Sequence, residues 1–264
     1  TAFDGWDSFR SILLVDASKE RVDLSGKGPR KITIVAVTRP YVLRELNLRN
    51  NKLTSLPVEI GSLAGLTKLW LESNLLTSLP TEIGCLTCLT RLELYNNQLT
   101  SLPTAIGNLT GLSELDLYNN HLASLPVEIG NLTGLEDLHL YNNQLNSLPV
   151  EIGNLSGLTT LYLYNNQLTS LPVEIGNLVG LTDLRCGDNR LTSLPAEIGR
   201  LTGLTWLDLY NNQLTSLPAE IGNLVGLMML SLNDNPITTP PIEVCNQSIT
   251  AIRDYFFEHQ KASA

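Results

Sequence analysis

Apolar and polar positions follow one motif repeated end to end along most of this chain. From Leu43 to Ile249 the sequence divides into nine registers of 23 residues, beginning at Leu43, Leu66, Leu89, Leu112, Leu135, Leu158, Leu181, Leu204 and Leu227. The unit from Leu158 reads LTTLYLYNNQLTSLPVEIGNLVG, and the shared positions are L-x-x-L-x-L-x-x-N-x-L-x-x-L-P-x-x-I-G-x-L-x-x. Its opening, L-x-x-L-x-L, sets apolar residues two apart, the pattern of a short strand with one buried face. The remainder, L-x-x-L-P-x-x-I-G-x-L, spaces Leu and Ile three or four apart but is interrupted by Pro and Gly, so it allows only a helical turn or two. A unit this short cannot cover its own faces. Stacking in register covers them, joining the strands into a parallel sheet and lining the returns along the opposite side.

The ninth position is asparagine in every unit: Asn51, Asn74, Asn97, Asn120, Asn143, Asn166, Asn189, Asn212 and Asn235. An amide side chain has both donors and an acceptor, so each can bond backbone groups of its own turn and of a neighbouring one. Nine in register predict a hydrogen-bonded ladder inside the bend.

This signature is similar to that of the leucine-rich repeat family. Its longer form, LPxxIGxL in a 23-residue unit, resembles the subclass that includes Scribble, Erbin, the plant Ras-group proteins and the repeat regions of Roco GTPases. The resemblance implies an α/β fold class: a leucine-rich repeat solenoid with a curved, concave parallel sheet, short 3-10 or helical turns on the convex side, and helical caps at both ends. It divides the chain into an N-terminal cap helix with a degenerate first repeat (1–42), nine repeats, the last degenerate (43–249), and a C-terminal cap helix (250–264). It also implies a non-catalytic scaffold for a protein partner, a small GTPase or another signalling protein.

Both ends carry cap signals. Val22-Asp23-Leu24-Ser25-Gly26 sits 24 residues before Leu46-Asn47-Leu48, which predicts a degenerate opening repeat. Trp6, Phe9, Ile12 and Leu13 recur at helical spacing, as in an amphipathic helix that closes the first repeat or docks another domain. Downstream, Asn235-Pro236-Ile237-Thr238-Thr239-Pro240-Pro241 ends the pattern, and Ile249, Ile252, Phe256 and His259 are expected on one face of a closing helix. The stretch from Asn235 to Phe256 resembles the segment that closes the repeats of Roco proteins before their GTPase domain. No P-loop pattern is present, so the sequence gives no support to nucleotide hydrolysis within this chain.

Composition narrows the classes of partner. Of 264 residues only 16% are charged, and 17 Lys and Arg against 26 Asp and Glu leave a net charge of -9. That balance argues against nucleic acid and anionic membrane, both of which require a basic footprint. No window reaches 18 consecutive apolar residues, so membrane insertion is not expected. Cys85, Cys88, Cys186 and Cys245 do not have the spacing of a secreted disulfide framework, which favours a cytoplasmic location. A secreted or surface location is the alternative, since Thr1 without a Met suggests processing; of the sequons at Asn108, Asn131, Asn154 and Asn246, three fall in one repeat column, so they arise from repetition and say little about secretion. The CxxC at Cys85 and Cys88 has neither a second pair nor a nearby His, so no metal or other cofactor is expected.

Specificity is expected on the concave positions, the second, third, fifth, seventh and eighth of each unit. Five of eight tyrosines occupy the seventh: Tyr95, Tyr118, Tyr141, Tyr164 and Tyr210. Trp70, Tyr162 and Trp206 join them, and rigid amphipathic rings are what binding surfaces favour. The alternative is that neighbouring tyrosines merely stabilise the sheet. The same rows hold eleven acids and five bases, a balance of -6 out of -9. Glu93 faces Asp116 and Glu114 faces Asp137 on adjacent strands, a repulsion that a cationic partner would relieve. With His139, Arg185 and Asp208, these residues form the expected partner-binding surface. His139 beside Asp116, with Ser113 one repeat away, is a faint catalytic signal that a shallow sheet does not complete. Two further readings stand beside the intracellular scaffold: a host-directed or immune-type recognition protein, and a regulatory module of a larger Roco-like GTPase or kinase chain.

Overall fold

The computed structural model of the chain describes residues 19–34 and 43–261. The expected N-terminal helix with Trp6, Phe9, Ile12 and Leu13 lies outside the described residues. Ten three-residue strands follow one another: β1 (Arg21–Asp23), β2 (Glu45–Asn47), β3 (Lys68–Trp70), β4 (Arg91–Glu93), β5 (Glu114–Asp116), β6 (Asp137–His139), β7 (Thr160–Tyr162), β8 (Asp183–Arg185), β9 (Trp206–Asp208) and β10 (Met229–Ser231). They form a single sheet in sequence order, and every pair is parallel. From β2 onward the register repeats every 23 residues, as in Leu92 opposite Leu115 and Leu115 opposite Leu138. The degenerate opening repeat supplies β1, with Val22 opposite Leu46.

In each of the first eight 23-residue units the return contains a five-residue 3-10 segment directly after its Pro, from Val58–Ser62 to Ala219–Asn223. Proline pre-sets the entry backbone and its carbonyl accepts the N–H of the Ile three residues on, as the Pro126 carbonyl accepts that of Ile129 at 3.1 Å. The Gly after that Ile is there because successive returns touch. A Cβ at Gly130 would lie 2.5 Å from the Glu151 carbonyl oxygen and 2.7 Å from Glu151 Cβ. Between sheet and returns lies one continuous core. In the unit from Leu112, the side chains of Leu112, Leu115, Leu117, Leu122, Ile129 and Leu132 have no exposure, and Leu125 is buried.

The asparagine ladder forms in all nine repeats. Asn120 shows the pattern: Nδ2 donates to the carbonyls of Leu117 in its own repeat and Leu94 in the preceding one, both at 3.0 Å, while Oδ1 accepts the Leu99 N–H at 2.9 Å. At the C-terminus α1 (Ile242–Cys245) and α2 (Ile249–Lys261) follow, and α2 packs on the last return, with Arg253 against Gly222. Ile252 is fully buried and Ile249 and Phe256 are partly so. His259 lies on the expected face but past the core. It is exposed, and its ring stacks on Tyr255 at 4.0 Å, because it stands one turn beyond the core-facing positions.

Candidate functional site on the concave sheet

Two side-by-side rows of planar groups run across the middle strands, set by the alternation of faces along each strand. In the seventh-position row, Tyr95, Tyr118, Tyr141 and Tyr164 stack with ring centroids 4.3, 4.3 and 4.4 Å apart and interplanar angles of 8°, 9° and 11°. This spacing comes directly from neighbouring parallel strands. The interior rings therefore spend both faces on one another and offer solvent their edges and hydroxyls. Burial raises the Tyr118 phenol, and burial together with the neighbouring Tyr164 pushes Tyr141 up to about 12, so the row stays neutral. At Gly187 the row lacks a side chain. The Tyr210 ring lies across that glycine, where a Cβ would collide with its Cε1, and its hydroxyl donates to Asp188.

The fifth-position row forms a second stack. His139 Nδ1 bonds Asp116 Oδ1 at 2.5 Å, and the imidazole stacks on Tyr162 at 4.8 Å. Beyond Tyr162 sits the Arg185 guanidinium, 4.5 Å from the Tyr162 centroid and 4.6 Å from that of Trp206. Asp183 holds the same guanidinium through two bonds at 3.0 and 2.9 Å and accepts the Tyr162 hydroxyl at 2.9 Å. Arg185, expected to meet a partner, is thus enclosed by two aromatic faces and a bidentate carboxylate. What remains open to a partner here is Trp206, which is 38% exposed.

The acidic rows are less repulsive than the sequence suggests. Glu93 does stand opposite Asp116, and Glu114 opposite Asp137. Arg91 bridges Glu93 and Glu114, each at 2.6 Å, and Trp70 Nε1 donates to Glu93 at 3.0 Å. Glu93 is consequently buried and is corrected from a partner-facing residue to a structural one. Glu45 is shared by Arg21 and Lys68 at 3.5 and 3.4 Å. Glu136, Asp137 and Asp208 form no ion pair among the described residues, although Asp208 accepts the Tyr210 N–H at 3.2 Å. Deeper in the sheet, Glu72 is buried with Oε2 unbonded and Oε1 3.9 Å from Arg49 Nε; desolvation, with Glu93 adding to it, pushes its carboxyl up to about 7.

The eighth position has a role that the sequence reading passed over. Asn50, Ser73, Asn96, Asn119, Asn142, Asn165, Asp188, Asn211 and Asp234 all have positive φ, between 47° and 57°. Asn and Asp tolerate that left-handed turn best among residues with a side chain, and eight of nine positions are Asn or Asp, which was the available signal. Their amides also bond in sequence, Asn119 to Asn96 and Asn142 to Asn119 at 2.5 Å and Asn165 to Asn142 at 2.7 Å. A polar ladder thereby flanks the tyrosine row. The Ser113 hydroxyl donates to the Thr90 carbonyl at 3.0 Å and is not joined to the Asp116–His139 pair. Among the described residues no three His, Cys, Asp or Glu gather as metal ligands, and no helix is long and apolar enough to cross a membrane.

A parallel sheet with one open, irregular, aromatic and polar face, backed by uniform returns, defines a repeat solenoid, typically a module for protein interaction. Residues 20–141 and 114–189 match the family described as leucine-rich repeat region, and residues 179–237 match leucine rich repeat. The chain belongs to the leucine-rich repeat family. No curated protein sequence matches it. Among solved structures, it is similar to the ectodomain of the plant membrane receptor kinase GASSHO1/SCHENGEN3 from Arabidopsis thaliana, in complex with CASPARIAN STRIP INTEGRITY FACTOR 2. Identity is 34% and the TM-score 0.71, over 85% of this chain and 29% of that one. A TDR receptor gives 31% and 0.71, over 81% and 39%. YopM, a leucine-rich effector protein from Yersinia pestis, gives 32% and 0.69, over 84% and 57%. The chain spans less than two thirds of the length of each of these three.

Proposed function

We propose that the chain is a non-catalytic scaffold that binds the basic surface of a protein partner on its concave sheet. The carrying observation is a group of acids that form no ion pair among the described residues, Glu136, Asp137 and Asp208, on the same concave face as Tyr118, Tyr141, Tyr164 and the exposed Trp206. All five bases of the concave rows are engaged within the chain, Arg44 by the Gly65 carbonyl and the other four by carboxylates, so the residual field is negative. Such a field steers a cationic partner and speeds its association at low salt. The 23-residue LPxxIGxL unit favours an intracellular signalling protein such as a small GTPase as that partner. It also favours a cytoplasmic setting, where the exposed Cys85 and Cys88 stay reduced.

The test compares three immobilised forms: wild type, Asp137→Lys with Asp208→Lys, and the convex control Glu151→Lys with Glu174→Lys. The expected result is a partner retained by wild type and the convex control, released by moderate salt, and lost by the concave variant. Equal retention by all three ends the proposal. Similarity to a bacterial effector and to a plant receptor ectodomain supports a second reading, an extracellular or host-directed recognition protein. A partner taken only from host extracts or secreted fractions would favour it.

A further inference from the structure

Repeat arithmetic leaves one end of the sheet unfinished. In each of eight consecutive repeats three backbone N–H groups, at the sixth, eighth and eleventh positions, donate forward into the next repeat. In the unit from Leu204 these are Leu209 to the Ser231 carbonyl at 2.9 Å, Asn211 to the Asn233 carbonyl at 2.8 Å, and Leu214 to Asn235 Oδ1 at 3.0 Å. The corresponding donors of the last unit, Leu232, Asp234 and Ile237, find no acceptor among the described residues. Unbonded backbone donors on a sheet edge are a template for strand addition.

The core is open at the same place. Leu204 and Leu207 have no exposure, whereas their counterparts Leu227 and Leu230 are partly exposed, Met229 is 45% exposed and Met228 87%. A cavity of about 400 Å³ lies between β10 and the corner joining α1 to α2, with Leu227, Leu230 and Leu232 on one side and Cys245 and Ile249 on the other. The helices cover the last return but leave this strand edge free. No Asp, Glu, Lys or Arg lines the cavity, so a neutral segment enters without burying an unpaired charge.

We propose that β10 takes an extended segment of another polypeptide as an eleventh parallel strand, and that this segment reads L-x-L-x-x-N. Its two leucines occupy the cavity as Leu230 and Leu232 occupy the core beside β9. The carbonyls after each leucine accept the Leu232 and Asp234 N–H groups, and the asparagine Oδ1 accepts that of Ile237. Lined by uncharged residues, this site is distinct from the acidic concave surface.

The full chain is titrated with the synthetic peptide LTTLYLYNN, its own residues 158–166, and followed by amide hydrogen exchange. Saturable binding is expected, with exchange at Leu232, Asp234 and Ile237 slowed by about tenfold or more. A peptide carrying Leu161→Ser and Leu163→Ser is expected not to bind. One carrying Asn166→Ala is expected to protect Leu232 and Asp234 but not Ile237. The protein is unaltered throughout, so misfolding cannot imitate a negative result. Saturation without protection of these amides, equal protection by a scrambled peptide, or no binding overturns the proposal. Protection of the same amides by raising the concentration of unliganded protein also overturns it, since the occupant is then a second copy of the chain.

Discussion

Replacing Glu72 by Gln is expected to stabilise the protein at neutral and alkaline pH and leave it unchanged in acid. The side chain is only 4% exposed, Oε2 has no hydrogen-bond partner among the described residues, and Arg49 stands 3.9 Å from the other oxygen. Desolvation therefore disfavours the carboxylate, Glu93 adds like charge, and the carboxyl holds its proton up to about pH 7 against 4.5 for a free glutamate. At about 1.36 kcal/mol per pH unit, that gap amounts to roughly 3 kcal/mol. Below pH 4.5 both folded and unfolded chains are protonated at this site, and its full contribution is present. As pH rises from 4.5 to about 7 the unfolded chain loses the proton while the folded one keeps it, so stability falls; above about 7 the loss is complete. Glutamine has the same shape and no proton to lose.

Urea unfolding of wild type and Glu72→Gln, followed by circular dichroism at acid, intermediate and alkaline pH, measures the difference directly. The other titrating groups cancel between the two proteins. Coincident stabilities in acid and a gap of roughly 3 kcal/mol at pH 8 are expected. Because solenoids can unfold by segments, the carboxyl carbon resonance of Glu72 is titrated alongside. Stability differences that do not change with pH, or a carboxyl resonance that titrates near 4.5, would refute the account of Glu72 as a desolvated acid.

Three further outcomes follow from the repeat geometry. Asn120→Ala leaves the Leu99 N–H and the carbonyls of Leu94 and Leu117 short of partners inside the core, and is expected to cost roughly 3–5 kcal/mol in chemical unfolding. Asn235→Ala, partly exposed in the last repeat, is expected to cost about 1–2 kcal/mol. Gly130→Ala places a methyl 2.5 Å from a backbone oxygen and is expected to lower stability by about 1–3 kcal/mol, whereas Gly134→Ala, 3.7 Å from its nearest atom, is expected to be near neutral. Ultraviolet titration of the phenols is expected to show Tyr141, Tyr162 and Tyr210 ionising near 12, for burial at the first two and the Asp188 hydrogen bond at the third. Unfolded tyrosines ionise earlier, near 10, so stability falls as pH climbs above that value, and normal phenol titration in the folded protein would contradict the stacked arrangement.

The fold was legible because each column of the repeat has one physical task and is restated nine times. Leu at the fourth and sixth positions builds the sheet, Asn at the ninth ties it, and Gly after Ile lets the returns touch. One column was misread for the same reason: Asn at the eighth position looked like variable surface, although the left-handed turn selects it. The concave surface was legible as a list of residues but not as an arrangement. Sequence placed Tyr95, Tyr118, Tyr141 and Tyr164 in a row, and strand spacing alone predicts contact between them. It could not show that Arg185 lies between Tyr162 and Trp206, that Arg91 joins Glu93 to Glu114, or that Tyr210 turns across Gly187.

Those pairings depend on which way a long side chain leans along the sheet, a choice governed by neighbours in other repeats and not by the motif. Their consequence reaches function. A charge count treats all eleven concave acids alike, while the structure ties Glu45, Glu72, Glu93, Glu114, Asp116 and Asp183 to cations or His139 and leaves Glu136, Asp137, Asp188, Asp208 and Asp234 without an ion pair among the described residues. Surface ion pairs contribute little stability, so this network acts chiefly by fixing where negative charge remains uncompensated. Regular columns hold the solenoid together, and departures from them decide what it can bind: Gly187 lets the Tyr210 ring turn across the tyrosine row, Trp206 exposes an aromatic face, and three N–H donors at β10 find no acceptor among the described residues.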